Sequence, residues 1–165
     1  MRDEQLQTLA QAIGNQLHGK GIMLATAESC TGGWVGKVIT DIVGSSSWFD
    51  RGFITYTNKA KRDMLGVSSE TLNAFGAVSE ETVCEMVKGA LEHSNADLAL
   101  AITGIAGPGG ATAEKPLGTV WLAWGNRDGF LHSERHQFIG EREAVRQQAV
   151  ACALDGVLKH LLRKL

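Results

Sequence analysis

The sequence predicts an α/β fold: a three-layer α/β/α arrangement around a mixed, mostly parallel sheet of about five strands, with residues 1–165 forming one domain. Three observations predict it. Short apolar runs alternate with stretches of helical periodicity, the pattern of strands interleaved with helices. Two of those runs, Ile22 to Ala27 and Leu98 to Ile102, empty into hydroxyls and glycines, and the ends of strands are where ligands bind in open α/β sheets. The connection between the fourth and fifth strand-like runs is too short for a crossover, so that pair must be antiparallel and the sheet mixed.

Each element has its own signal. Leu6, Leu9, Ile13 and Leu17 recur at helical spacing, and Gly19 and Gly21 stop that helix. The first strand, Ile22 to Ala27, follows. A second helix starts near Thr31, with Trp34, Val35, Val38, Ile39 and Ile42 on its buried stripe, and Gly44-Ser45-Ser46-Ser47 breaks it. Arg51 to Thr57 reads as the second strand. Asn58 suits the N-cap of a short helix ending near Leu65. Ser79 caps a longer helix whose first turn carries Glu80 and Glu81, with Val83, Val87, Ala90 and Leu91 facing inward. Leu98 to Thr103 and Gly118 to Gly125 are the third and fourth strands, and Phe130 to Ile139 is a half-exposed fifth. The last helix, Arg142 to about Leu162, buries Val145, Ala149, Cys152, Leu158 and Leu161. Pro108 and Pro116 bracket a loop punctuated for a fixed shape.

Composition excludes several function classes. A formal charge of −2 argues against non-specific nucleic-acid binding, which needs a basic face. Three cysteines (Cys30, Cys84, Cys152) without CxxC spacing fit a reducing compartment and no disulfide framework. No apolar run approaches the roughly 18 residues that span a bilayer, and Met1-Arg2-Asp3-Glu4-Gln5 lacks the order of a signal peptide. A cytoplasmic protein with no membrane partner is expected.

The chemistry-bearing residues gather at the strand ends. Ser29, between a strand and a helix start, reads as a nucleophile whose oxyanion the neighbouring N–H groups would stabilise; structurally, the same serine would serve as an N-cap. Cys30 is a rival, because a helix N-terminus lowers a thiol pKa, although no histidine is an obvious partner. Thr31-Gly32-Gly33 and the Thr103 to Gly110 loop read either as tight turns or as anion cradles. Lys59, Lys61 and Arg62 sit where a helix favours acids, so either a phosphate lies nearby or one lysine is neutral. Neutral Lys61 at pH 7 requires a drop of roughly 3 to 4 units, about 4 to 5 kcal/mol, to which the dipole, Lys59, Arg62 and burial would contribute. Such a lysine serves as general base for a serine. Tyr56, the single tyrosine, would relay a proton or orient substrate if its phenol lies near Lys61; otherwise it is a packed strand residue. Arg142 reads as a phosphate contact or a surface ion pair. The five histidines are scattered; His132 and His136 share a strand face without a third ligand at a suggestive spacing, so no metal site is expected.

In order along the chain, Ala27-Glu28-Ser29-Cys30-Thr31-Gly32-Gly33, Gly44-Ser45-Ser46 to Trp48-Phe49, Thr55-Tyr56-Thr57-Asn58 with Ala60-Lys61, Gly76-Ala77-Val78-Ser79, Thr103 to Gly110 and Glu114-Lys115-Pro116-Leu117-Gly118-Thr119-Val120 resemble the C-terminal domain family of the competence/damage-inducible CinA proteins. The likeness is to its stand-alone nicotinamide-nucleotide amidase form and covers nearly the whole chain. It implies a hydrolase that converts nicotinamide mononucleotide (NMN) and water to nicotinate mononucleotide and ammonia in pyridine-nucleotide (NAD) recycling. It further implies a homo-oligomer, a dimer, without a cofactor. By motif, Ser29 is the nucleophile, Lys61 its base and Tyr56 an assisting polar group. The substrate-binding set is Thr31, Gly32, Gly33, Ser46, Asn58, Thr103, Gly104, Gly107 and Arg142. Two departures stand out: Thr57-Asn58-Lys59-Ala60-Lys61 replaces the family's Ser-Asn-Glu-Ala-Lys, and Gly140-Glu141-Arg142 replaces Gly-Asp-Arg. The alternatives are a catalytically silent nucleotide-binding or regulatory paralogue, and a phosphate-transferring enzyme. The latter needs a GxxxxGK[ST] loop or an acidic metal cluster beside the glycines, and the sequence has neither.

Overall fold

The structure, a computed structural model, describes residues 2–165. The first helix, α1 (Arg2–Leu17), buries Leu6, Ala10, Ile13 and Leu17 along one stripe. Strand β1 (Leu24–Glu28) is buried at all five positions because helices cover both faces of the sheet. Helix α2 (Trp34–Thr40) starts three residues later than the sequence suggests. Thr31 and Gly32 are consumed by a turn in which Gly32 N–H donates to the Ser29 carbonyl (3.1 Å), and Gly33, at φ 100°, takes the cap position. Side chains rarely adopt that φ, so glycine is required there.

Strand β2 (Phe49–Ile54) ends three residues early. Thr55 makes the last ladder bond, donating its N–H to the Glu28 carbonyl (2.8 Å), and Thr57, not Asn58, caps α3 (Asn58–Leu65) by accepting from Ala60 N–H at 3.0 Å. Helix α4 (Ser69–Phe75), capped by Ser68, is an element the sequence reading lacks; with only Leu72 buried, it has no periodicity to betray it. Helix α5 (Glu80–Glu92) is capped by Ser79 as expected, and β3 (Leu98–Gly104), β4 (Thr119–Asn126) and β5 (Leu131–Gln137) complete the sheet. Helix α6 (Arg142–Gly156) runs into a π turn at Val157–Leu161. Cys152 and Leu158 are only half-buried against the core, not within it.

The strand order is β2-β1-β3-β4-β5. Strands β2, β1 and β3 pair in parallel, and β3–β4 and β4–β5 pair antiparallel. The sheet is mixed, with β4 alone reversed. In β3, Leu98, Leu100 and Ile102 face the α1/α2/α6 layer, while Ala99 and Ala101 face the α5 layer. The alternation follows from the two-residue period of a strand, and the small alanines let α5 lie close. The order reverses at β1, from which the chain leaves toward β2 on one side and is joined by β3 on the other. That switch point opens a crevice beyond the carboxyl ends of β1 and β3, where ligands bind in such sheets. Glu28 pairs with Ile102, so Ser29 and Thr103 emerge side by side.

Candidate active site

The crevice holds a small cleft of about 280 Å³ lined by Ser29, Cys30, Tyr56, Lys61, Thr103, Gly104 and Arg142, with Ala77, Val78 and Ala106 as its apolar wall. At its floor Lys61 Nζ lies 2.9 Å from Ser29 Oγ, although the two residues come from different elements 32 positions apart. Lys61 is 1% exposed and its amine also reaches the Thr55 carbonyl (2.9 Å) and the Tyr56 carbonyl (3.4 Å). Burial pulls this lysine down from its ordinary value to about 8. Lys59 and Arg62, expected to help, are not the cause: Lys59 is exposed and paired with Asp63.

Ser29 is held from behind. Its N–H donates to the Ile102 carbonyl (3.0 Å), extending the β1–β3 ladder by one residue. Glu28, 1% exposed, turns to the opposite face and accepts from Thr31 Oγ1 (2.6 Å), Val35 N–H (3.0 Å) and Gly36 N–H (3.1 Å). It thereby satisfies the start of α2, a capping role that glycine at position 33 cannot fill with a side chain. Arg146, on α6, donates to the Cys30 carbonyl (2.9 Å) and the Thr31 carbonyl (3.3 Å) and lies over the Trp34 ring at 5.7 Å. Neither Glu28 nor Arg146 carried a role in the sequence reading. The available signal for Glu28 was an acid ending a largely apolar strand just before a helix.

The expected site residues divide. Ser29, Lys61, Thr103, Gly104 and Arg142 meet around one cleft. Tyr56 lines the same cleft, 59% exposed at its mouth; its phenol accepts from Arg142 Nη2 at 3.1 Å, and it is its carbonyl that touches Lys61. Alternation after β2 turns Thr55 inward and Tyr56 outward. Arg142 bridges the mouth, because its Nη1 donates to the Gly107 carbonyl (2.9 Å). Thr103 spends its hydroxyl on the Ala77 carbonyl (2.8 Å). Thr31 spends its own on Glu28, and Gly32 and Gly33 line a different, larger cleft of about 530 Å³ on the far side of the loop. Asn58 is exposed at the start of α3. Ser46 lies in the turn before β2, at the amino ends of the parallel strands, one strand length from Ser29. Cys30, the rival nucleophile, packs into the apolar core, and burial pushes its thiol up to about 11, which leaves it protonated at neutral pH.

Sequence and fold together place the chain in a known family. The model of the CinA C-terminal domain matches residues 6–161, and the chain belongs to that family. Its relatives include the nicotinamide-nucleotide amidohydrolase PncC of Escherichia coli K12, 52% identical over 163 residues that cover 99% of each chain. The protein of the same name from Pseudomonas putida is 49% identical over 93% of this chain and 96% of its own. Among solved structures, the competence/damage inducible protein CihA from Agrobacterium tumefaciens superposes with a TM-score of 0.93 at 47% identity, covering 96% of both chains.

Proposed function

We propose that this protein hydrolyses the carboxamide of nicotinamide mononucleotide to nicotinate mononucleotide and ammonia, with Ser29 as nucleophile and Lys61 as its base. The observation that carries the reading is the 2.9 Å contact between Lys61 Nζ and Ser29 Oγ in a cleft that lowers the lysine to about 8. Full-length relatives named nicotinamide-nucleotide amidohydrolase supply the substrate.

The geometry suits a neutral amine. With its Nζ donating to the Thr55 and Tyr56 carbonyls, the deprotonated form, a minority at pH 7 for a group at about 8, would turn its lone pair to the Ser29 hydroxyl. Lys61 takes the hydroxyl proton as Oγ attacks the amide carbon, and the resulting ammonium makes three donations to three acceptors. The tetrahedral oxyanion draws on the main chain of the turn after Ser29. The Ser29 and Gly32 N–H groups are engaged by the Ile102 and Ser29 carbonyls, and of the rest of the turn only Cys30 lines this cleft, so its N–H is the donor assigned. Lys61 then returns its proton to the departing nitrogen, releasing ammonia. Water, deprotonated by the same amine, cleaves the acyl ester and restores the serine. Arg142 at the mouth offers its guanidinium to the nucleotide phosphate. None of these steps calls for a cofactor. The product would re-enter pyridine-nucleotide synthesis, and the homodimer implied by the family resemblance belongs to the same proposal.

The test is release of ammonia and nicotinate mononucleotide from NMN by purified protein. Ser29→Ala is expected to lose at least about 10³-fold in kcat/KM with its fold intact. Near-native turnover by Ser29→Ala overturns the mechanism, and no turnover by folded wild-type protein overturns the activity.

A further inference from the structure

Strand β5 is an edge of the sheet, and residues 132, 134 and 136 project from one face of it. Three imidazoles converge there on one carboxyl group. His132 Nε2 lies 2.9 Å from Glu134 Oε2, His160 Nε2 lies 2.9 Å from the same oxygen, and His136 Nε2 lies 2.8 Å from Oε1. The donor atoms of His132, Glu134 and His160 all fall within 4.8 Å of one another. Four-coordinate zinc holds such ligands at about 2.0 to 2.2 Å, so its ligand atoms stand roughly 3.3 Å apart. Small side-chain adjustments bring this triad to that spacing.

His160 arrives by a deviation in the helix. An α-helix turns about 100° per residue, so a regular helix would set His160 about 80° around from Cys152. The π turn at Val157–Leu161 inserts one extra residue and reduces that offset to roughly 20°. Residues 152 and 160 therefore face the same strand. The Trp124 ring, anchored by Nε1–H donation to the Ala153 carbonyl (2.9 Å), backs both imidazoles, with centroids 4.9 Å from His160 and 6.0 Å from His132. The donors are held in place yet open to solvent: their side chains are 39% (His132), 31% (Glu134) and 24% (His160) exposed. That leaves a coordination position and an approach route for an ion.

We propose that His132, Glu134 and His160 form a binding site for a divalent transition-metal ion of the zinc class, with solvent as the fourth ligand. Two imidazoles and one carboxylate suit zinc-class ions rather than calcium or magnesium. His136 holds the second carboxyl oxygen and orients Glu134, as outer-shell partners of metal ligands do. Cys152 Sγ, 3.5 Å from His136 Nε2, stands outside the ligand set. The ion ties the C-terminal helix to the edge strand and takes no part in the amide chemistry. Glu134 pairs with Leu122, Leu122 with Ile102 and Ile102 with Glu28, which sets the site three strand spacings, about 14 Å, from the Ser29 strand end.

The test is calorimetric titration of chelator-treated full-length protein with Zn²⁺, joined to X-ray absorption of the zinc-loaded wild type. One equivalent should bind, with a shell of imidazole nitrogen and oxygen and no sulfur. Glu134→Gln and His160→Ala should each weaken binding by at least about 100-fold and His136→Ala by about tenfold, while Cys152→Ser leaves it unchanged. Absence of stoichiometric binding by the wild type overturns the proposal. So does sulfur in the shell, or binding that His160→Ala does not weaken. The absorption measurement needs no variant, so a misfolded mutant does not blunt the test.

Discussion

The two loops that follow β1 and β3 have nearly the same composition, hydroxyls and glycines at a strand end, yet they do different work. In the first, the polar groups turn inward on the protein. Thr31 gives its hydroxyl to Glu28, Glu28 gathers the first N–H groups of α2, and Arg146 takes the Cys30 and Thr31 carbonyls. The loop is a clamp that presents Ser29. In the second, Thr103 is tied to Ala77, and the Gly107 carbonyl receives Arg142, which also reaches Tyr56. That loop is a wall that sets a cation at the mouth. The difference lies in what packs behind each loop: a buried acid behind the first, a neighbouring loop and the start of α6 behind the second. Similar strand-end motifs therefore do not imply similar ligand contacts.

Mutations can break this contrast in order of size. Lys61→Met removes the base that the clamp faces, and kcat/KM is expected to fall at least about 10³-fold. In the wild type kcat/KM should rise with pH, reach half its plateau near 8 and level off about a unit above, because on the proposed mechanism only the neutral amine accepts the serine proton. The stability sign is separate. A lysine lowered to about 8 in the fold but ordinary when unfolded leaves the unfolded chain with more protons between pH 8 and 10.5, so this group makes stability rise with pH across that window. The rise is about 3 kcal/mol, and urea denaturation of wild type and Lys61→Met at both ends of the window isolates it, since the variant lacks it.

Glu28→Gln comes next. An amide has one acceptor where the clamp uses two, so one N–H of α2 loses its partner. A stability loss of about 2 kcal/mol is expected, with a fall in kcat greater than any change in KM because Ser29 shifts. Unchanged kcat in a destabilised Glu28→Gln would show that the clamp serves the fold alone. Arg142→Ala tests the wall: KM for NMN should rise about tenfold with kcat changed less, and the same variant should discriminate little against the dephosphorylated riboside. The smallest effect is Thr103→Val, which leaves the Ala77 carbonyl without its donor and should cost about 1 kcal/mol with little change in turnover.

Much of this was legible in the residues. The alternation of apolar runs and helical periodicity contains the sheet and its helices, and Ser79 marks the start of α5 as its residue type predicts. Helix α4 escaped because a seven-residue helix with a single buried leucine has no period to read. The histidine cluster escaped for a different reason. His132 and Glu134 are neighbours on β5, but His160 lies far along the chain and is aimed at them only by an irregular turn of helix.

By itself the sequence determined the elements, the glycines that stop or turn them, and a short set of reactive side chains. Local chemistry favours Ser29 over Cys30 only modestly, since both sit at the same strand end. Tertiary structure sets the two apart by direction and burial: the backbone turns Ser29 toward α3 and Cys30 into the core, where its thiol stays protonated. It also decided the state of Lys61. A lysine's pKa falls this far only when water is taken from it, and no residue in Thr57-Asn58-Lys59-Ala60-Lys61 can remove that water. The packing of α3 against the end of the sheet does.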